Sequence, residues 1–146
     1  MILIKKIHVT DTYPIRLEVL RKNIPLPYKF EGDFDNDTFH LGAFKNGNLI
    51  AVSSYMKTLN ANLKGTNYQL RGMATSTKHQ GNGVGKLMMD EAFKILESLK
   101  INYIWCNARL IAVNFYKKQG FRIIGENFDV KYIGEHYMMS KKLPSE

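Results

Sequence analysis

Between Gln80 and Lys86 the chain reads Gln-Gly-Asn-Gly-Val-Gly-Lys, with glycine at alternate positions 81, 83 and 85. Behind it, Val84, Leu87, Met88, Ala92, Ile95, Leu96 and Leu99 recur at helical spacing and form one apolar stripe. The first N–H groups of a helix have no intrahelical partner, and the aligned peptide dipoles add partial positive charge there. Glycine removes the Cβ atoms that would hold a bulky anion at a distance. Segment 80–86 is therefore a candidate phosphate cradle, with Lys86 beside it. One helix terminus contributes about 0.3–2 kcal/mol toward a negative charge, and several convergent N–H groups suit a pyrophosphate. The same glycines would also serve a loop that needs positive φ and close helix–sheet packing.

Two better-known phosphate templates fail on these residues. A Walker loop requires Gly-Lys followed by Ser or Thr, but Leu87 follows Gly85-Lys86. The dinucleotide fingerprint needs G-x-G-x-x-G, whereas the order here is G-x-G-x-G. The acidic stretch Glu31, Asp33, Asp35 and Asp37 lacks both the D-x-D-x-D-G spacing and the closing glutamate of a calcium loop. It reads as a solvated loop, or secondarily as a rim that greets a cationic substrate. Cys106 is the only cysteine, which excludes an intrachain disulfide and two-cysteine metal motifs. No metal site is expected.

The elements that must position the cradle follow from the hydropathy pattern. Ile2 to Val9 reads as a strand. A helix is expected over residues 13–24, capped by Asp11 or Thr12, with Pro14 in its first turn. The proline-bounded segment 25–38 reads as a loop. Residues 38–44 and 49–56 form a hairpin about the Asn46-Gly47 turn. A strand over 67–75 leads to the glycine segment, and the helix begins near Gly83. Another strand covers 102–108, a helix covers 110–119 with Gly120 just past its end, and 121–128 pairs with 136–143. Strands alternating with helices, together with an antiparallel hairpin, indicate a mixed α/β sheet. The 146 residues suit a single domain over 1–146, with 45% hydrophobic and 23% charged residues, as in ordinary globular proteins. No apolar run reaches membrane-span length and no secretory leader is evident, so a cytoplasmic protein without membrane association is expected.

At this point the chain resembles the GNAT family of N-acetyltransferases. Gln80-Gly81-Asn82-Gly83-Val84-Gly85 matches that family's Q/R-x-x-G-x-G/A signature, and "NARLIAVNFYKKQGF" resembles its second motif, in the same order and spacing. The resemblance implies a mixed, mostly antiparallel central sheet flanked by helices, with one splayed strand pair that admits acetyl-CoA. It implies that the main-chain N–H groups of Gln80, Gly81, Asn82, Gly83, Val84 and Gly85, with Lys86, hold the pyrophosphate. The pantetheine arm would pair with the backbone of Met73, Ala74 and Thr75, one N–H group of which would polarise the thioester carbonyl. Tyr116 matches the tyrosine that faces the CoA sulfur. Where many members have an asparagine seven residues before that tyrosine, this chain has Arg109, which leaves Asn107 or Asn114 as the cofactor contact.

The reaction so implied is direct attack of a primary amine on the thioester. Phenol and free thiol have reference pKa values of ~10 and ~8.5, so proton transfer to a solvated thiolate is uphill by about 2 kcal/mol. Desolvation of the thiolate narrows that gap, so Tyr116 reads as a hydrogen-bond donor able to act as the acid. Removing a proton from an ammonium of pKa ~10.4 at pH 7 costs about 4.6 kcal/mol, so a base or a water path is expected. His136 is the catalytic candidate, because histidine titrates near neutral pH; His40, Glu135 and the acidic loop are further candidates. His40 and Arg71 are candidate acceptor contacts, Arg71 for an anionic substrate group. The acceptor, a small-molecule or peptide amine, would be met by 13–40 and 129–137, which contain Tyr28, Phe30, Phe34 and Phe39.

The net charge of +8 fits a polyanionic donor, and Lys78, Lys86, Lys117 and Lys118 fall near the motifs that would face it. Two other readings use the same features. One is a non-catalytic module that senses CoA or another phosphate ligand. The other is a nucleic-acid binder, which would need Lys and Arg clustered on one face with interleaved aromatics; "YKKQGFR" is the best such stretch, and the acetyltransferase motif explains it better. A homodimer is compatible with the resemblance.

Overall fold

Register and hairpin geometry build the sheet in the computed structural model, which describes residues 1–144. Strand β1 (Ile2–Ile7) pairs antiparallel with β2 (Phe39–Lys45), and β2 pairs antiparallel with β3 (Asn48–Thr58). Asn46 and Gly47 both take positive φ, 52° and 79°, in the two-residue turn that matches the twist of the flanking strands. The next strand is β4 (Asn67–Thr75), whose first residues run parallel to β5 (Tyr103–Arg109), with Asn67 opposite Tyr103 and Gln69 opposite Trp105. Antiparallel pairings join β5 to β7 (Gly134–Lys142) and β7 to β6 (Arg122–Val130). The strand order is β1-β2-β3-β4-β5-β7-β6, a mixed, mostly antiparallel sheet with one parallel pair, as expected.

The chain forms two compact units, one of Met1–Met56 with Leu70–Lys94, the other of Lys57–Gln69 with the chain from Ile95 onward. In the first, alternation along β2 and β3 buries Leu41, Ala43, Ala51 and Val52, and Ile15, Val52 and Ala74 form a core with Ile7, Val19, Leu20 and Leu49 against it. In the second, Ile104, Cys106, Ala108 and Met139 are buried. Its parallel junction carries a polar chain: Trp105 Nε1 donates to Thr58 Oγ1 (2.9 Å), whose hydroxyl donates to Asn67 Oδ1 (2.5 Å).

The first helical segment differs from its expected form. It is a 3-10 turn at Val9–Thr12, one α turn α1 (Tyr13–Ile15) and a π-helical stretch Arg16–Leu20, ending before Ile24. Pro14 does stand in the first turn of α1. The main helix α2 (Val84–Ser98) buries Val84, Met88, Met89, Ala92, Phe93 and Leu96. Leu87 and Leu99 of the expected stripe are exposed, at 42% and 52%. The buried face is rotated toward Met89 and Phe93, which leaves Leu87 on the far side, and Leu99 lies beyond the last helical turn. The helix closes with Lys100 at φ 60°, its N–H donating to Glu97 O while the Ile101 N–H donates to Leu96 O, a Schellman end without glycine. Helix α3 (Val113–Lys118) is shorter than expected because Leu110–Ala112 wind as a 3-10 turn. It ends as the sequence indicates: the Gly120 N–H donates to Lys117 O and the Phe121 N–H to Tyr116 O.

Candidate functional site

The turn between β4 and α2 is tied down by backbone and side-chain hydrogen bonds. Ser76 N–H donates to Ile50 O at 2.7 Å, and Glu18 accepts from both the N–H and the hydroxyl of Thr77. These donors hold the Glu18 carboxyl below the usual range, the backbone N–H of Thr77 contributing most. Gln80 Nε2 reaches back to Thr75 O at 3.0 Å, joining the head of the glycine loop to the end of the strand. Gly83 O accepts the first bond of α2 from Leu87 N–H, so Gly83 caps the helix and the next N–H groups have no intrahelical acceptor.

Gly81 and Gly83 take φ of 83° and 77°, and a Cβ built at either meets no atom within 4 Å. The protein therefore leaves open space on that side of the backbone, next to a row of N–H donors. Side chains at these positions would intrude into that space, whereas glycine leaves it open at the helix start. Gly85 is the second residue of α2. Lys86 pairs with Asp90 one turn on (2.9 Å) in an exposed ion pair, a contact weak enough for its ammonium to turn to an anion.

Strand β4 runs on through Gly72, which nevertheless turns to φ 62° directly before Met73, Ala74 and Thr75. A Cβ there would lie 2.7 Å from Phe30 Cε2 and 3.4 Å from Arg16 Nε. Both the backbone angle and the space require glycine. The sequence reading passed over this residue, although a lone glycine inside a strand pattern is the signal of such a turn.

Arg16, fully buried, anchors the neighbouring side-chain network. Its NH1 donates to Asp33 Oδ2 (2.8 Å) and Tyr28 O (2.9 Å), and its NH2 to Asp33 Oδ1 (2.9 Å) and Ser54 Oγ (2.8 Å). Asp33 also accepts the Phe30 N–H at 2.8 Å. Burial pushes the Asp33 carboxyl up, but the bonds from Arg16 and Phe30 and the charge of Arg16 outweigh it and hold the group below the ordinary range. Asp33 is thus no part of a solvated rim, in contrast to exposed Glu31, Asp35 and Asp37.

His40 belongs to the same network. Its Nε2–H donates to Asp33 O (3.0 Å), which leaves Nδ1 to accept from Ser54 Oγ (2.6 Å). Burial foremost lowers the His40 pKa, so the ring is neutral near pH 7. Both nitrogens are engaged inside the protein, a bracing arrangement. Arg71 lies half-buried with its guanidinium carbon 4.6 Å from the centroid of the Phe30 ring, which Arg16 also approaches at 3.9 Å. Of the other expected acceptor aromatics, Tyr28 meets Tyr13 edge-on at 5.2 Å, Phe39 stacks on Tyr55, and Phe34 is 73% exposed.

In the second unit, Tyr116 sits on α3, 8% exposed, with Phe115 and Phe121 edge-on at 5.1 and 5.3 Å. Gly-Phe thus closes the helix and also walls the tyrosine ring. Asn107 on β5 and Asn114 on α3 are both exposed. His136 is buried on β7 against Phe128, its Nδ1–H donating to Gly134 O at 2.8 Å, which leaves Nε2 as the other ring nitrogen. Cys106 is buried, and its desolvated thiol is pushed far up in pKa, so it is no acyl carrier. Among the described residues no group of three or more His, Cys, Asp or Glu could hold a metal, and no helix is long and apolar enough to cross a membrane.

Known proteins resemble this chain along nearly its whole length. The N-acetyltransferase YitI of Bacillus subtilis (strain 168), itself uncharacterized, is 35% identical over 145 residues, covering 98% of this chain and 97% of its own. Escherichia coli ElaA superposes with a TM-score of 0.80 at 19% identity, over 97% of this chain and 99% of that one. The PaiA N-acetyltransferase of Thermoplasma acidophilum, solved in complex with coenzyme A, superposes with a TM-score of 0.70 at 20% identity, over 97% and 99%. Residues 7–121, from the end of β1 through the glycine cradle to the Gly-Phe that walls Tyr116, match the model of the acetyltransferase (GNAT) family, and the chain belongs to that family.

Proposed function

We propose that this protein is an acetyl-CoA-dependent N-acetyltransferase that acetylates a primary amine by direct attack. The observation that carries the reading is the open cradle at Gly81 and Gly83 beside the start of α2, at the end of strand β4. Acetyl-CoA, when bound, supplies an acetyl thioester activated toward amines. The N–H groups of 80–86 hold its pyrophosphate, with Lys86 released from its exposed pair with Asp90. Met73, Ala74 and Thr75, which follow the positive-φ turn at Gly72, offer backbone to the pantetheine arm, and one of their N–H groups polarises the thioester carbonyl. One of Asn107 and Asn114, both exposed, contacts the cofactor.

The ammonium first gives up one proton to water and attacks as the neutral amine; as the C–N bond then forms and the C–S bond breaks, the amine loses one further proton and the thiolate gains one. Tyr116, by its match to the family motif, donates the proton that the thiolate gains. His136, through Nε2, accepts the further proton of the amine directly or through water. Tyr116 and His136 thus divide the two transfers between a phenol and an imidazole.

The test is calorimetric titration of the wild type and of Gly83→Asp with acetyl-CoA. A Cβ at Gly83 meets nothing in the protein, so the variant folds at the cost of its backbone angle and places a carboxylate in the pyrophosphate space. Binding by the wild type and its loss in a variant of native circular dichroism is the expected result. A folded wild type that does not bind acetyl-CoA refutes the reading.

A further inference from the structure

Phe30 is approached by three guanidinium groups, those of Arg16, Arg71 and Arg21, whose electrostatic situations differ. Arg21, at 5.5 Å, is met by acceptors, its Nε donating to Pro27 O and its NH1 to Leu20 O. Arg16 is matched by Asp33 in a two-pronged pair, which is neutral as a unit. Arg71 lies over the same ring, and none of its guanidinium N–H groups has an acceptor among the described residues. Asp33 and Glu31 favour its charge from a distance, while burial foremost and the charge of Arg16 disfavour it. Arg16 Nε is a second donor there, buried and without a hydrogen-bond partner. The network therefore holds surplus guanidinium donors beside an aromatic ring and too few acceptors, in a half-buried place where unmet charge is unfavourable.

Arg71 stands two residues before Met73, on the other side of the turn at Gly72, so the two Cα atoms lie no more than about 7.5 Å apart. An oxyanion held by Arg71 therefore belongs to the molecule acylated next to Met73–Thr75, provided that molecule is small. The guanidinium fork fits a planar carboxylate through two parallel bonds. The same uncompensated cation repels acceptors that carry a second ammonium group, so polyamines are disfavoured. Resting on the acetyl-transfer reading above, we propose that the acceptor is a small amine that also bears a carboxylate, an amino acid or close relative, and that Arg71 captures the carboxylate.

Matched pairs of amines test this: L-phenylalanine against phenethylamine and L-leucine against isopentylamine, each with saturating acetyl-CoA and CoA release as readout. The wild type is expected to prefer the amino carboxylate of each pair. Arg71→Gln should reduce that preference roughly 10- to 100-fold, through KM for the carboxylate substrate. Its Kd for acetyl-CoA should not change. Arg71→Lys keeps charge without the fork and should recover only part of the preference; it also serves if the glutamine variant fails to fold. Preference of the wild type for the decarboxylated amines or for spermidine, an unchanged ratio in both variants, or no transfer to any of these amines by protein that binds acetyl-CoA overturns the proposal alone. Failure of the wild type to bind acetyl-CoA overturns it together with the acetyl-transfer reading.

Discussion

Replacing Asp33 by Asn would expose how much the network around Arg16 depends on its single carboxylate. Arg16 is fully buried, and its two terminal nitrogens meet the two Asp33 oxygens at 2.8 and 2.9 Å. Asparagine can return one acceptor, but its amide nitrogen would face the second guanidinium nitrogen donor to donor. Removing one partner of a buried pair leaves an uncompensated charge at a cost of about 3–5 kcal/mol. For a chain of 146 residues the unfolding entropy is roughly 300 cal/mol/K, so Tm should fall by about 10–16 °C. Thermal melts followed by circular dichroism, with urea unfolding as a second measure, read this directly. An Arg16→Met, Asp33→Leu double variant should lose less than Asp33→Asn, because it removes both charges together. The pH dependence adds a sign. Because the Asp33 pKa is depressed, its contribution is complete above the unfolded carboxylate value of ~3.9 and is lost as pH falls through the folded value. The gap between wild type and Asp33→Asn should therefore be full at pH 7 and close toward strongly acidic pH. A Tm loss below about 3 °C at pH 7, corresponding to less than ~1 kcal/mol, would refute the claim that Arg16 depends on Asp33.

Tyr116→Phe should fold normally, since its ring contacts with Phe115 and Phe121 survive, and should lower kcat by roughly 10²- to 10⁴-fold with acetyl-CoA affinity retained; equal kcat in the two proteins would remove the tyrosine from the chemistry. His40 is neutral when folded because burial lowers its pKa, so stability is complete above the unfolded value of ~6.5 and declines as pH falls from there toward the folded value. His40→Gln should flatten Tm against pH across that window, and an unchanged slope would assign the decline to another group. The Gly83→Asp titration and the Arg71 amine panel complete the set, one addressing the donor site and the other the acceptor.

The parts of this protein legible in its sequence are those governed by local rules. A two-residue Asn-Gly turn, glycines at the start of an amphipathic helix and a glycine closing α3 each act within a few residues. They appear where the pattern placed them, at 46–47, at 81–83 and at 120. The family signature is likewise local, since its N–H donors are contiguous in sequence. Helix limits were less legible where tertiary contacts compete with propensity. The first helix stops at Leu20 after a π-helical stretch that includes the buried Arg16, and α2 closes on Lys100 without a glycine.

The character of charged and polar groups depended on the folded chain alone. Asp33 is one of four acidic residues in a short stretch, and nothing in its spacing separates it from exposed Asp35. Seventeen residues divide it from Arg16, and only the tertiary fold brings the two within 2.8 Å, removes water and makes the ion pair strong. The same holds for Phe30, which alternation marks simply as apolar but which underlies both Arg16 and Arg71. Sequence pattern encodes the glycine loop of the proposed donor site because backbone N–H groups and dipoles are local; the proposed acceptor side rests on desolvated side chains drawn together from α1's neighbourhood, the acidic loop and β4, which packing alone can assemble.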